Sequence, residues 1–229
     1  MLKNMIIAID GPAGSGKSTL AKKIAEKLDF MYIDTGAMYR AITFEVLKNN
    51  VKDDPEAVIK IARTCDLKLQ YKNGKTEVEI NGKDVTGEIR NIEVSSNVSD
   101  VSKIREVREE LVRMQREIAS NTDVVMEGRD ITTVVFPHAD IKVFLTATIE
   151  KRAERRRNDY MAMNTDLSIG EIIQNIKTRD KIDSEREVSP LQKADGAIEI
   201  DTSELTIEEE LQIILEKVEE LRNHKKIKV

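Results

Sequence analysis

The sequence predicts an α/β fold in which a five-stranded parallel sheet is covered by helices on both faces. One observation predicts it, and two departures from it mark additions to that fold. Short apolar runs alternate with helix-patterned segments, as parallel strands joined by crossover helices require. One stretch, "DLKLQYKNGKTEVEINGKDVTGE" (66–88), breaks that alternation with period-two patterning and two Asn-Gly pairs. Another, 150–191, is polar, dense in arginine and poor in bulky apolar side chains. The first departure reads as an antiparallel meander inserted into the chain. The second reads either as a helical lid or as a solvated helical hairpin.

The strands fall, in order, at "MIIAI" (5–9), "FMYI" (30–33), "VVM" (124–126), "IKVFL" (141–145) and "AIEI" (197–200). Helical patterns include 18–28, 103–120 and 207–222. In the insertion, Leu67, Leu69 and Tyr71 alternate with polar residues, as do Val78 and Ile80. Asn73-Gly74 and Asn81-Gly82 supply its tight turns.

Between the first strand and the first helix, residues 11–18 fit G-x-x-x-x-G-K-[ST] without mismatch. Gly11, Gly14 and Gly16 let the backbone curl around Pro12, Ala13 and Ser15, so that N–H groups point at phosphate oxygens. The helix start, from Lys17 through Ser18 and Thr19, adds its partial positive charge. Lys17 is expected to reach the outer phosphates, and Ser18 to help hold Mg2+. The fold class becomes a P-loop NTPase three-layer fold, and the ligand a nucleoside triphosphate.

A net charge of −5 argues against broad attraction to nucleic acid or anionic lipid. No stretch approaches the ~20 apolar residues of a membrane span, and the run at 5–9 is too short for a signal-peptide core. Cys65 is the single cysteine, which excludes an intrachain disulfide. With only His138 and His224 beside it, no zinc-type cluster can be assembled. A cytoplasmic location is expected.

The second strand runs into "IDTGAMYRA" and the third into "EGRD". Asp34 or Thr35 can cap the helix that follows, with Gly36 giving the backbone room and Arg40 about a turn and a half further on. Ligands of an open parallel sheet bind beyond the carboxyl ends of its strands. That rule gathers the P-loop, Arg40, Arg129, Glu127 and Asp130 on one edge. Arginine's planar fork suits a phosphate monoester. On one helix, Arg152, Arg155 and Arg156 would share a face, and such charges repel unless an anion arrives. Arg179, Asp183 and Arg186 repeat at i, i+4, i+7 and are expected on a single helical face.

The set "IDGPAGSGKST", "DTGAMYRA", "GEIR", "GRDITTVVFP" and "RDKIDSERE" resembles the bacterial cytidylate kinases, nucleoside monophosphate kinases for CMP and dCMP. The resemblance runs essentially end to end and includes the three-stranded insertion. It implies a core of residues 1–40, 119–150 and 191–229, an NMP-binding region at 41–118 and an arginine-rich lid at 151–190. It also implies transfer of the γ-phosphoryl group of ATP to CMP or dCMP with Mg2+, by a monomer without nucleic-acid or membrane partners. By the same resemblance, Thr35, Arg40 and Arg129 meet the monophosphate, Gly128 belongs to the CMP site, and Ser99, Arg108 and Asp130 read cytosine. Arg179 and Asp183 address the sugar, Arg186 helps hold phosphate, and Lys17, Arg129, Arg152, Arg155 and Arg156 serve the transfer. Two positions depart from the pattern: Thr132 stands where glycine is usual, and His138 where aspartate is common.

Cytosine presents an N4 donor beside N3 and O2 acceptors, so a selective pocket pairs an acceptor such as Asp130 with donors such as Arg108 and Ser99. Uracil presents a carbonyl in place of the amine, a buried mismatch worth roughly 1–3 kcal/mol. UMP is therefore expected to be a poor substrate. A P-loop kinase for another small acceptor, such as shikimate, is the alternative, but it has no use for a base-reading set. The loop "DTSEL" (201–205) is the expected neighbour of adenine.

Overall fold

The computed structural model describes residues 4–72, 75–162 and 165–227. The chain opens with β1 (Ile6–Asp10), passes through the P-loop into α1 (Lys17–Leu28), returns as β2 (Met31–Asp34) and continues into α2 (Thr35–Lys48) and α3 (Pro55–Thr64). The excursion β3 (Leu67–Lys72), β4 (Lys75–Ile80) and β5 (Lys83–Asp84) follows, then a 3-10 turn (Glu88–Arg90), α4 (Ile92–Ser102) and α5 (Arg105–Ile118). β6 (Val124–Gly128) leads through a π-type turn (Ile131–Val135) to β7 (Ile141–Thr146) and the helices α6 (Ile149–Ala162) and α7 (Ile169–Glu185). β8 (Ile198–Asp201) and α8 (Ile207–Ile227) close the chain.

β2, β6, β1, β7 and β8 form, in that order, an all-parallel sheet. Its alternation sets the layers. Ile7 and Ile9 of β1 pack with Leu20 and Ile24 of α1 and with Ile214 and Val218 of α8. Ala8, between them, faces Val112 of α5 and Ile131 on the opposite side. The expected strands are all present, but several continue past the apolar runs that mark them. Asp10 still pairs with Gly128, and Asp34 with Glu127, at the carboxyl edge. Apolar patterning marks the buried middle of a strand, whereas the ladder runs on into polar residues that face the ligand edge.

The insertion is a three-stranded antiparallel sheet, as its alternation predicts. Val78, Ile80 and Val85 turn one face onto Met38, Ile42 and Val58 of α2 and α3. Asn81 and Gly82 both take positive φ in the β4–β5 turn, the geometry that favours an Asn-Gly pair. The Asn73-Gly74 turn lies outside the described residues.

Two sequence expectations are corrected. The helix expected over 103–120 is α5 alone, and a separate helix, α4, precedes it. Ile104 takes an extended conformation between them, which breaks the helical run. Arg186 does not continue the face of Arg179 and Asp183: α7 ends at Glu185, and Arg186 is its extended C-cap. The 150–191 stretch is an α6–α7 hairpin with a small apolar centre of its own, Ala153, Tyr160, Ile172 and Ile176. Among the described residues no helix is long and apolar enough to cross a membrane.

Gly11 is where the fold admits the P-loop. Its φ is +153°, and a Cβ placed there would lie 2.2 Å from the Leu145 carbonyl oxygen of β7. Gly11→Ala is therefore expected to cost about 2–4 kcal/mol of stability, read from urea denaturation. Wild-type stability in that variant would contradict this packing.

Candidate active site

A cleft of about 740 Å³ opens along the carboxyl edge of the parallel sheet. This is within the size range of sites that enclose small molecules. Its walls come from the P-loop, the start of α2, α4 and α5, the end of β6, the α6–α7 hairpin and the start of α8. Among the described residues, eight arginines line it: Arg40, Arg90, Arg108, Arg129, Arg155, Arg156, Arg179 and Arg186.

Local structure puts each group in place. Asp34 caps α2 by accepting from the Ala37 N–H, so the backbone beyond β2 turns sharply into the helix. Its other carboxylate oxygen accepts from Arg40 at 3.0 Å. Burial works against ionisation of Asp34, but Arg40, the Ala37 N–H and Arg90 together outweigh it and hold the carboxyl below its usual range. Gly128, at the end of β6, has no room for a side chain, because an added Cβ would lie 2.6 Å from the Thr35 hydroxyl. That hydroxyl donates to the Glu127 carbonyl at 2.7 Å and joins the two loops.

Arg108 and Asp130 form a buried ion pair at 2.5 Å. The same guanidinium donates to the Ser102 carbonyl at 3.0 Å and lies over the Tyr39 ring. Arg129 donates to Asp183 at 3.0 Å, and Arg186 reaches the same carboxylate at 3.8 Å. Arg179 is the least relieved: burial and its neighbours Arg129 and Arg156 push its guanidinium down to about 10. Four cleft arginines keep buried N–H groups without a partner among the described residues, at Arg40 Nε, Arg108 Nε, Arg179 Nε and Arg186 Nη2. Buried donors of this kind are rare in proteins and call for an acceptor.

On the P-loop side, the Lys17 ammonium donates to the Pro12 carbonyl at 2.7 Å and to the Ser15 hydroxyl at 3.3 Å. Burial, then the charge of Arg129, brings it down to about 7. Ser18 is exposed at the helix start and faces the Glu127 carboxyl, which burial and Asp34 push upward. Glu127 also accepts from the Tyr32 hydroxyl.

Most of the residues singled out in the sequence come together here: Ala13, Gly14, Gly16, Lys17, Ser18, Thr19, Thr35, Arg40, Ser99, Arg108, Gly128, Arg129, Asp130, Arg155, Arg156, Arg179, Asp183 and Arg186. Gly11, Pro12 and Ser15 shape the loop from behind, and Ser15 is fully buried. Arg152 stands apart from the cleft wall. It is buried, donating to the Ala13 carbonyl at 3.2 Å and to Asp180 at 2.6 Å, and so ties both hairpin helices to the P-loop. Nor do the arginines of α6 wait bare for an anion. Asp180 pairs with Arg152, Asp159 lies 3.6 Å from Arg156, and Thr202 accepts from Arg155.

Sequence reasoning missed Arg90, Tyr39, Ser95 and Ser102 as cleft residues. The serines carried a signal: Ser95, Ser99 and Ser102 repeat at i, i+4, i+7 on α4.

A family model described as "Cytidylate kinase" matches residues 7–220. The chain belongs to the cytidylate kinase family. A cytidylate kinase of Fusobacterium nucleatum subsp. nucleatum is 47% identical over 222 residues, covering 96% of this chain and 100% of the relative. One from Bacillus subtilis (strain 168) is 48% identical over 221 residues, covering 96% and 99%. A crystal structure of an uncharacterized protein from Eubacterium ventriosum ATCC 27560 shares the fold at a TM-score of 0.55 and 13% identity, covering 95% of this chain and 99% of that one. The protein is an ATP-dependent nucleoside monophosphate kinase.

Within this family member, Thr132 makes a contact that glycine cannot. Asp10 is fully buried beneath the P-loop and accepts from the Ile131 N–H (2.9 Å), the Thr132 N–H (2.7 Å) and the Thr132 hydroxyl (2.6 Å). Burial still outweighs these bonds and raises the Asp10 carboxyl from 3.8 to about 6. The folded state thus holds this proton more tightly than the unfolded chain does. Its stabilising contribution is full below pH ~4 and is lost as pH rises through ~6, a change of about 3 kcal/mol. Asp10→Asn is expected to remove that fall from the stability–pH profile measured by urea denaturation at pH 4–7. An unchanged slope would mean Asp10 is not the group responsible.

Proposed function

We propose that the protein transfers the γ-phosphoryl group of ATP to CMP or dCMP, releasing ADP and CDP or dCDP, with UMP a poor acceptor. The observation that carries this reading is the set of buried, unpartnered N–H groups on Arg40, Arg108, Arg179 and Arg186 beside the Arg108–Asp130 pair. An anionic ligand with a base that offers both donors and acceptors would satisfy them.

In this reading residues 1–40, 119–150 and 191–229 hold the donor, 41–118 the acceptor, and 151–190 closes over both. P-loop N–H groups and Lys17 take the triphosphate. A phosphate anion would draw the Lys17 ammonium from its loop carbonyl and favour its charged form. Arg40 and Arg129, with Thr35 and Gly128, orient the acceptor monophosphate for in-line attack. Asp130 accepts from cytosine N4 while Arg108 and Ser99 donate to the base. Arg179 and Asp183 meet the sugar, and Arg186 the phosphate. Arg155 and Arg156 stabilise charge on the transferring group, and Arg152 positions them through Asp180 and the P-loop. No general base is required, because a phosphate dianion is already nucleophilic.

Ser18 and the facing Glu127 carboxyl are hard oxygen donors suited to Mg2+, with phosphates and water completing the shell. Among the described residues no cluster of three His, Cys, Asp or Glu side chains could hold a metal ion. When bound, Mg2+ would neutralise charge on the phosphate oxygens. Monomeric, cytoplasmic action belongs to the same proposal.

A coupled ADP-release assay with CMP, dCMP, UMP, AMP and shikimate tests the reading. CMP and dCMP should turn over well, UMP about 10-fold or more less efficiently, and shikimate not at all. Asp130→Asn should cut CMP efficiency more than UMP efficiency. Release of ADP that does not depend on any pyrimidine nucleotide would sink the proposal.

A further inference from the structure

The donor end of the cleft holds one feature the reading above does not use. Three consecutive glutamates open α8. Glu208 pairs with Lys23 at 2.9 Å, and Glu209 accepts from Thr206 in a helix-capping arrangement. Glu210 does neither. It is only 3% exposed, and its Oε2 is buried without a hydrogen-bond partner among the described residues. Its side chain lines the cleft together with Gly16, Thr19, Arg155, Leu205 and Ile207.

The surroundings suit the base of a nucleotide. Gly16 caps the start of α1 and lies against Arg155, so a triphosphate held by the P-loop N–H groups sits beside this pocket. Leu205 and Ile207 give apolar surface. Arg155 is fixed by the Thr202 hydroxyl at 2.9 Å and carbonyl at 2.7 Å, which leaves its planar group fixed beside the pocket rather than spent on Glu210. A buried acceptor without a donor is costly unless a ligand supplies one. ATP offers two kinds of donor, the ribose hydroxyls and the adenine N6 amine, and the apolar Leu205 and Ile207 beside Glu210 favour the base edge here.

We propose that Glu210 is a specificity residue for the donor, accepting a hydrogen bond from the 6-amino group of the ATP base. This rests on the reading that the P-loop takes ATP. Burial, opposed by Arg155, raises the Glu210 carboxyl to about 7. Near neutral pH it is therefore about half ionised, and it can accept in either protonation state.

The test compares wild type, Glu210→Gln and Glu210→Leu with two donors, ATP and purine riboside 5′-triphosphate, which lacks the 6-amino group. Steady-state kinetics at saturating CMP give the donor KM and kcat, and the KM for CMP reports any general disturbance of the cleft. Wild type should prefer ATP over the analogue without the 6-amino group by about 5- to 30-fold in donor KM. Glu210→Leu should raise the ATP KM by a similar factor and lose the preference between donors. Glu210→Gln should keep most of it, since an amide oxygen still accepts. A Leu variant that still prefers ATP to the same degree overturns the proposal while leaving the kinase reading intact. A wild-type chain without saturable ATP binding overturns both.

Discussion

The end of the cleft between α5 and the loop after β6 depends on the buried pairing of Arg108 with Asp130. The Arg108 guanidinium is out of water, against the Tyr39 ring and the Ser102 carbonyl, and Asp130 is the carboxylate that makes this tolerable. Removing one partner of such a pair strands a buried charge, typically at about 3–5 kcal/mol. The pair therefore fixes where α5 meets the loop after β6, and with it the relation of the inserted region to the sheet. It also leaves donors and acceptors side by side at one spot, which is what a cytosine edge needs.

The same logic recurs around the cleft. Arg40 is held by Asp34, Arg129 and Arg186 by Asp183, and Arg152 by Asp180. Each carboxylate keeps a cation ordered before any anion arrives. Ordered side chains lose less entropy on binding. The opposing requirement is that the arginines not be fully satisfied. The unpartnered N–H groups on Arg40, Arg108, Arg179 and Arg186 are the remainder left for a ligand.

Much of this was legible in the sequence, for local reasons. The P-loop, the Asn81-Gly82 turn and the Asp34 cap are set by residues a few positions apart, so spacing alone reveals them. The roles given to Ser99, Arg108 and Arg179 came from resemblance, because their partners lie on other elements. The strand ends at Asp10, Asp34 and Glu127 escaped apolar patterning because they are polar where the ladder reaches the ligand edge. The serine face of α4 is visible in the spacing of Ser95, Ser99 and Ser102, but what that face meets is set by other elements. The orientation of Arg152 follows from Asp180 on the neighbouring helix, and the burial of Glu210 from its position where the start of α8 meets the cleft. Neither can be read from a run of like charges.

A crystal structure of the protein with CMP bound tests the central claim most directly. The account predicts cytosine N4 within hydrogen-bond distance of an Asp130 carboxylate oxygen, Arg108 still paired, and the monophosphate on Arg40 and Arg129. A cytosine ring seated elsewhere, with no contact from Asp130 or Arg108, would contradict it.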